Sequence, residues 1–285
     1  MKNIKIRRSK TEIAVLSVMF VIIAVHCFTL LYPVFWALLN SLKTFKQYTA
    51  NSFNFPSEPH WKNYVEVFTN ISQEYTMYEM LFNTIWIAVV GLFVSTACSM
   101  FVAYALSKFR FPGRNFLYGL AIFIQVCPIV GSGAANYKLL SALNFVNNPL
   151  LIWIAWAGGF NFTFLILYGY FQSVSNSYAE SAEIDGAGEW TIFLKIMVPQ
   201  ALPAIASMML INMIGMWNDY NISLIYLSEY PQLGLGIYLF GDNARASQVP
   251  MYYASLILSM IPVLIVFSCF QKLILNNVAV GGLKG

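Results

Sequence analysis

The sequence predicts an all-α integral membrane protein with about six transmembrane helices. Three observations support this prediction. Of the 285 residues, 59% are hydrophobic and only 10% are charged, whereas an ordinary soluble domain has about 25% charged residues. The apolar residues gather into runs that can cross a hydrocarbon core as helices of about 17 to 25 residues. The runs are continuous, whereas membrane strands require alternating patterns in a closed barrel.

Each expected span corresponds to one apolar run. The runs are Ile13 to Leu39, Ile85 to Tyr104, Phe116 to Ala135, Leu150 to Phe171, Ala201 to Asn218, and Met251 to Phe270. The first run follows a basic segment, as in a secretory signal peptide, but it is about twice as long as the apolar part of such a peptide. We therefore expect it to be retained as a helix.

The lysines and arginines predict the orientation of the chain, because cytosolic loops of membrane proteins carry an excess of them. With the N-terminus inside, eleven of these sixteen residues fall on the cytosolic side and five on the outer side. We therefore predict that both termini are cytosolic. The net charge of +4 is explained by residues that flank the spans, so no nucleic acid partner is implied.

The loops divide the chain into three predicted parts. Residues 1–76 hold the basic tail, the first span and most of a long outer loop. Residues 77–271 form the core transmembrane domain with an inner loop at 172–200, and residues 272–285 form a cytosolic tail. The four cysteines have no CxxC spacing and the two histidines have no metal-ligand spacing. We therefore predict no metal site.

The inner loop 172–200 is acidic, with four acids against one lysine. Ser177 followed three residues later by Glu180 is typical of a capping box, and Gly186 suits the left-handed end of a helix. These signals predict a short helix, Tyr178 to Asp185. Because so short a helix is marginal in water, we expect it to dock on a basic partner, although a solvated surface turn also fits. The small residues expected to allow close approach are Ala179, Ser181, Ala182 and Ala187.

The inner loop resembles the EAA loop of ABC importer permeases, which reads EAA, three residues, Gly, nine residues and I-x-L-P. The matching residues are Glu180, Ser181, Ala182, Glu183, Asp185, Gly186, Ala187, Phe193, Ile196, Val198 and Pro199. Gly186 lies six residues after Glu180, and Ile196 lies ten after Gly186. Ser181 and Val198 replace the usual Ala and Leu. The extended motif resembles the carbohydrate branch of the family, and the similarity to its maltose-type permeases extends over nearly the whole chain.

The resemblance implies a type I ABC importer transmembrane domain in a bacterial-type cytoplasmic membrane, without a catalytic residue or bound cofactor. The short helix would be the coupling helix. The implied partners are a second homologous permease subunit, two cytosolic ATPase subunits that bind ATP and Mg²⁺, an extracytoplasmic substrate-binding protein, and a sugar such as an oligosaccharide. The residues implied to couple to the ATPase are Glu180, Ser181, Ala182, Glu183, Asp185, Gly186, Ala187 and Pro199.

The sequence itself supports hydrolysis of ATP by a separate subunit. A P-loop needs a Gly-Lys pair followed by Ser or Thr to hold the phosphates. This chain contains no Gly-Lys pair. We therefore expect the chain to be a transport subunit and not an enzyme.

Trp217, Asn218 and Asp219 are candidates for the translocation path. Asp219 directly follows the fifth predicted span, and it lies seventeen residues after Leu202. At about 1.5 Å per residue, it would lie ~25 Å from the cytosolic end of the span. We favour the alternative that this segment is an interfacial helix end whose tryptophan belongs to the aromatic belt.

Three alternative functions remain. A glycerol phosphate or polyol is compatible with the same importer motifs. A stand-alone ion-coupled transporter usually has an ionisable site near the membrane midplane, and a membrane-embedded enzyme needs clustered His, Asp or Glu at a membrane face. The sequence offers neither of these last two features.

Overall fold

The computed structural model describes residues 9–69, 75–127, 131–243 and 248–280, with the backbone alone for residue 243 and residues 272–280. All regular elements in these ranges are helices, as the sequence predicts. The part of the predicted basic tail before Ser9 lies outside the described residues. Three charged residues elsewhere in the chain also lie outside them, namely Glu74, Arg245 and Lys284.

Thirteen α-helices follow one another along the described ranges. They are α1 (Lys10–Ser41), α2 (Phe45–Ala50), α3 (Lys62–Thr69), α4 (Met77–Lys108), α5 (Arg114–Val126), α6 (Gly133–Ala142), α7 (Pro149–Trp156), α8 (Phe162–Ser173), α9 (Ser177–Ile184), α10 (Glu189–Ile192), α11 (Val198–Asn218), α12 (Leu233–Asn243) and α13 (Val249–Val280). Two π-helical turns, Phe193–Met197 and Ile222–Tyr226, precede α11 and α12.

Four helical stretches of the described chain are long and apolar enough to cross a membrane. They are Lys10–Ser41, Met77–Lys108, Glu189–Asn218 and Val249–Gln271. These stretches contain the first, second, fifth and sixth predicted runs. The prediction of single helices for the third and fourth runs is wrong. The third run holds α5 and the start of α6, with residues 128–130 outside the described ranges, and the fourth holds α7 and α8.

Local sequence explains both breaks. α5 ends before Cys127, which is extended with φ −77° and ψ 111°, because a residue that precedes a proline is disfavoured in the helical region. Between α7 and α8, Gly159 passes close to α4, where an added Cβ would lie 2.6 Å from Val102 Cγ2. Asn161 then starts α8 by accepting a hydrogen bond from the Phe164 N–H at 3.0 Å.

The chain divides into two compact units, residues 1–69 with 240–260 and residues 70–239 with 261–285. In the second unit, α4 packs most extensively on α8 and also contacts α11 and α7. One apolar core joins α4, α8 and α11 to α9 and includes Tyr104, Phe171 and Phe193. A separate cluster surrounds Ile87 and Ile152.

The first unit contains a buried lysine just after α1. Lys43 is 1% exposed, and its Nζ donates hydrogen bonds to Asn40 Oδ1 (2.9 Å), the Ser52 carbonyl (2.9 Å) and the Asn51 carbonyl (3.2 Å). Burial lowers the pKa of Lys43 below its ordinary value. Asn63 Nδ2 also donates to the Lys43 carbonyl at 2.8 Å. These hydrogen bonds connect the end of α1 to the segment that follows it.

Candidate functional site

The predicted short helix is present as α9, and it begins and ends one residue earlier than predicted. Its C-terminus forms a Schellman motif. The Ala187 N–H donates to the Ala182 carbonyl at 2.9 Å, and the Gly186 N–H donates to the Glu183 carbonyl at 3.0 Å. Gly186 has φ +79°, which confirms the predicted left-handed end.

The capping box predicted from Ser177 and Glu180 is wrong. The N-cap of α9 is Asn176, and no side chain caps the first turn. Ser177 Oγ lies 2.8 Å from Ser175 Oγ, with which it shares a hydrogen bond. The Asn176 side chain also points elsewhere, because its Oδ1 accepts a hydrogen bond from Lys108 Nζ at 2.9 Å. A tertiary contact has replaced the local cap.

The small residues of α9 face this chain's own core. Ala182 is 9% exposed and belongs to the core that contains Tyr104 and Phe171. Ala179 packs against the same core from one turn earlier, as residues three apart share a helix face. Ala187 packs there as well. The sequence analysis expected these alanines to face a partner subunit. That expectation is wrong, because they pack against the core of this chain.

The opposite side of α9 is exposed. Ile184 is 87% exposed and Tyr178 is 55% exposed. The exposed face of α9, as we name it, consists of Tyr178, Glu180, Ser181, Glu183, Ile184 and Asp185. It combines three carboxylates with two large apolar side chains. The opposite face of the helix packs on the core of the chain.

Pro199 lies in the first turn of α11, directly after the π-helical turn Phe193–Met197. A proline lacks an N–H and crowds the carbonyl four residues earlier, which here belongs to Lys195. In the wider turn, the Val198 N–H reaches back five residues to the Phe193 carbonyl. The wide turn therefore accommodates the proline within a continuous span, Glu189–Asn218.

The three path candidates do not converge. Trp217 is 6% exposed and packs inside the chain, beside an apolar cavity lined by Leu210 and Phe267, so its ring does not join an exposed aromatic belt. Asn218 is exposed. Asp219 ends α11, and its Oδ1 accepts a hydrogen bond from the Asn221 N–H at 2.8 Å. The carboxylate thus caps the turn that follows.

A polar site at the break between α7 and α8 escaped the sequence interpretation. Asn161 Oδ1 accepts a hydrogen bond from Ser99 Oγ at 3.0 Å, and Asn161 Nδ2 donates to the Gly158 carbonyl at 3.2 Å. Gln125 Nε2 donates to the Phe160 carbonyl at 3.4 Å. The twelve residues of α8 place this break roughly 18 Å from the inner end of that helix. In the sequence, the adjacent pair Gly158-Gly159 was the signal that could have predicted this break.

The described ranges contain no cluster of three or more His, Cys, Asp or Glu side chains that could hold a metal ion. The four cysteines are free thiols.

Solved structures support the expected fold. A bacterial ABC transporter involved in the import of the acidic polysaccharide alginate has a chain that superposes with a TM-score of 0.81 at 25% sequence identity, covering 94% of this chain and 99% of that one. The chain therefore has the fold of a type I ABC importer transmembrane domain.

Two relatives align over most of their length. The maltodextrin transport system permease protein MalD of Streptococcus pneumoniae is 28% identical, covering 99% of each chain. The galactooligosaccharides transport system permease protein GanQ of Bacillus subtilis is 26% identical, covering 93% of this chain and 94% of the relative. Both relatives are permease proteins of transport systems.

The sequence model of one family, described as "Binding-protein-dependent transport system inner membrane component", matches residues 95–280. The match includes the inner loop, the break between α7 and α8, and α11. Because it covers well over half of the sequence, the chain belongs to this family and is a multi-pass permease of the bacterial inner membrane.

Proposed function

We propose that this chain forms half of the translocation path of an ATP-driven importer for an oligosaccharide. It would work with a second homologous permease subunit, two cytosolic ATPase subunits and an extracytoplasmic substrate-binding protein. The maltodextrin and galactooligosaccharide permeases and the alginate importer, all similar to this chain, are named for substrates built of linked sugars. These relatives support a sugar as cargo.

The observation that carries the coupling role is the seating of α9. Its alanines pack on the permease core, while its exposed face presents Glu180, Glu183 and Asp185 on the predicted cytosolic side. An exposed apolar residue such as Ile184 among carboxylates suits a partner that supplies both an apolar surface and basic residues. We therefore assign α9 to the ATPase contact, with Gly186, Ala187 and Pro199 setting its position.

The ATPase subunits would bind ATP and Mg²⁺. The sequence has no Gly-Lys pair to build a P-loop, which supports hydrolysis in trans. In this arrangement closure of the ATPases moves α9, and the membrane helices respond.

The break between α7 and α8 is our candidate for the path lining. Non-helical backbone at membrane depth is tolerated only where it is buried in protein or lines a water-filled cavity. Here Gly158 is exposed, the Asn161 amide donates to its carbonyl, and the Gln125 amide donates to the nearby Phe160 carbonyl. Neutral donors and acceptors suit sugar hydroxyls. Trp217, Asn218 and Asp219 remain weaker candidates, because they point in different directions.

The first prediction tests the ATPase contact by charge reversal at Glu180. Because no capping box exists, Glu180→Lys and Glu180→Gln differ mainly in charge, and neither removes a helix cap. We expect Glu180→Lys to lower recovery of co-expressed ATPase by about tenfold, the range for a lost charge contact at an interface, and Glu180→Gln to have a smaller effect. The measurement is co-purification in detergent together with ATP-driven uptake in vesicles.

Glu66→Lys is the matched control, because Glu66 is an exposed helical carboxylate on the predicted outer side. It should co-purify with ATPase as the wild type does. Equal recovery of ATPase by Glu180→Lys and the wild type would refute the ionic contact. ATP turnover by the isolated chain would refute hydrolysis in trans.

The substrate is tested with purified complex and a panel of labelled compounds. We expect ATP-dependent uptake of an oligosaccharide over a polyol or glycerol phosphate. The reverse order would assign the polyol alternative, and uptake driven by an ion gradient without ATP would indicate an ion-coupled transporter.

A further inference from the structure

A single ammonium group joins the inner end of α4 to the loop that carries α9. Lys108 is the last residue of α4, and its Nζ donates hydrogen bonds to the Val174 carbonyl at 2.6 Å and to Asn176 Oδ1 at 2.9 Å. Val174 is the C-cap of α8 and Asn176 is the N-cap of α9. Three helices therefore meet at one side chain.

Each of these hydrogen bonds has a physical reason. The last carbonyls of a helix lack intrahelical partners and carry partial negative charge, so a cation at the end of α8 is favourable. The Oδ1 of an N-cap asparagine ordinarily accepts a hydrogen bond from the first turn of its own helix. Here Asn176 Oδ1 binds Lys108 instead, and α9 has no side-chain cap. The N-terminus of α9 is thereby attached to α4.

The two attachments of α9 differ in kind. Ala182 rests on an apolar core, and apolar contacts have no preferred direction. The hydrogen bonds of Lys108 have a direction and are assisted by charge. Because eight residues form a helix that is marginal by itself, the position of α9 depends on both attachments.

We propose that Lys108 is a positioning residue that transmits the displacement of α9 to α4 during ATP-driven transport. The proposal rests on the coupling role proposed above for α9. α4 packs along α8, α11 and α7, so a displacement received at Lys108 reaches several membrane helices at once. Without the ammonium, α9 still presents its exposed face, but its movement reaches α4 only through apolar contacts and through the segment that joins α9 to α8.

The test uses the complete complex in proteoliposomes and measures sugar transported per ATP hydrolysed. Lys108→Met keeps the length of the side chain and removes the ammonium. We expect assembly and ATP hydrolysis to stay within about twofold of wild type, while transport per ATP falls about fivefold to tenfold, the range for lost charge-assisted hydrogen bonds. Lys108→Arg should restore most of the ratio. Arg110→Met is the matched control, because Arg110 is an exposed cation on the same inner turn.

A double-mutant cycle with Asn176→Ala distinguishes loss of the hydrogen bond between the two residues from a general loss of stability. If both residues act through one hydrogen bond, the double variant should transport no less per ATP than Lys108→Met alone. Additive losses, or an unchanged ratio in Lys108→Met, would overturn the proposal. If Lys108→Met fails to assemble, an unchanged ratio in Asn176→Ala overturns it as well. Absence of ATP-driven sugar uptake by the wild-type complex would instead refute the proposed function.

Discussion

Lys43 follows the long apolar helix α1, and Lys108 is the last residue of the long apolar helix α4. The two lysines bind similar groups, yet they connect different parts of the chain. Each Nζ donates to an asparagine Oδ1 and to at least one backbone carbonyl. The partners of Lys43 lie three to nine residues away in sequence. The partners of Lys108 lie 66 and 68 residues away. The same chemistry closes a local segment in one case and links distant helices in the other.

The difference shows why burial alone is a poor guide to functional importance. Lys43 is almost fully buried, but the hydrogen bonds of its Nζ reach only Asn40, Asn51 and Ser52. Lys108 is only partly buried, but it connects a membrane helix to a surface helix. The expected consequences of substitution therefore run opposite to the order of burial.

The largest effect is expected at Gly186, which ends the helix that Lys108 holds at its start. Nothing lies within 4 Å of a Cβ added there, so a substitution tests only the strain of φ +79°. A β-branched residue pays roughly 1–2 kcal/mol or more in the left-handed region. Gly186→Val should therefore insert normally and lose most ATP-driven uptake in vesicles, while Gly186→Asn keeps more of it. Equal uptake by the two variants would contradict this geometry.

A smaller and local effect is expected at Lys43. Lys43→Met leaves the Asn51 and Ser52 carbonyls without their donor, at a cost of about 1–3 kcal/mol, so limited proteolysis between residues 45 and 60 should accelerate. Transport per ATP should not change, in contrast to Lys108→Met. Because burial lowers the pKa of Lys43, the unfolded segment binds more protons between this lowered pKa and the ordinary lysine pKa, and protection should rise with pH across that interval. Lys43→Arg should lack that pH dependence, and a drop in transport per ATP would erase the contrast between the two lysines.

The smallest effect is expected at Asp219, whose role in the structure is a local cap. Asp219→Asn keeps an oxygen that can accept from the Asn221 N–H, so folding should be unchanged, whereas Asp219→Ala should cost about 1 kcal/mol. Thermal unfolding in detergent measures both. A selective loss of uptake in Asp219→Asn, at wild-type stability, would return this carboxylate to the translocation path.

Long apolar runs and one motif were enough to predict much of the molecule. The four spanning stretches and the left-handed end at Gly186 follow from hydropathy and from glycine stereochemistry. The breaks near Cys127 and Gly159 did not, because averaged hydropathy conceals a short interruption within an apolar run. The capping box failed for a different reason. Ser177 and Glu180 carry the right local signal, but Lys108 engages the preceding asparagine from another helix, and no local pattern records such a partner.

The exposure of Ile184 has a practical consequence for labelling. A cysteine placed there would project into water on the predicted cytosolic side, and a polar thiol reagent would reach it without crossing the bilayer in inside-out vesicles. The three exposed native cysteines, Cys27, Cys127 and Cys269, lie in or directly after apolar helices, where such a reagent dissolves poorly. A single fluorophore at position 184 would thus report sidedness in the chain without the ATPase, and protection of the thiol when the ATPase is added would report the proposed contact.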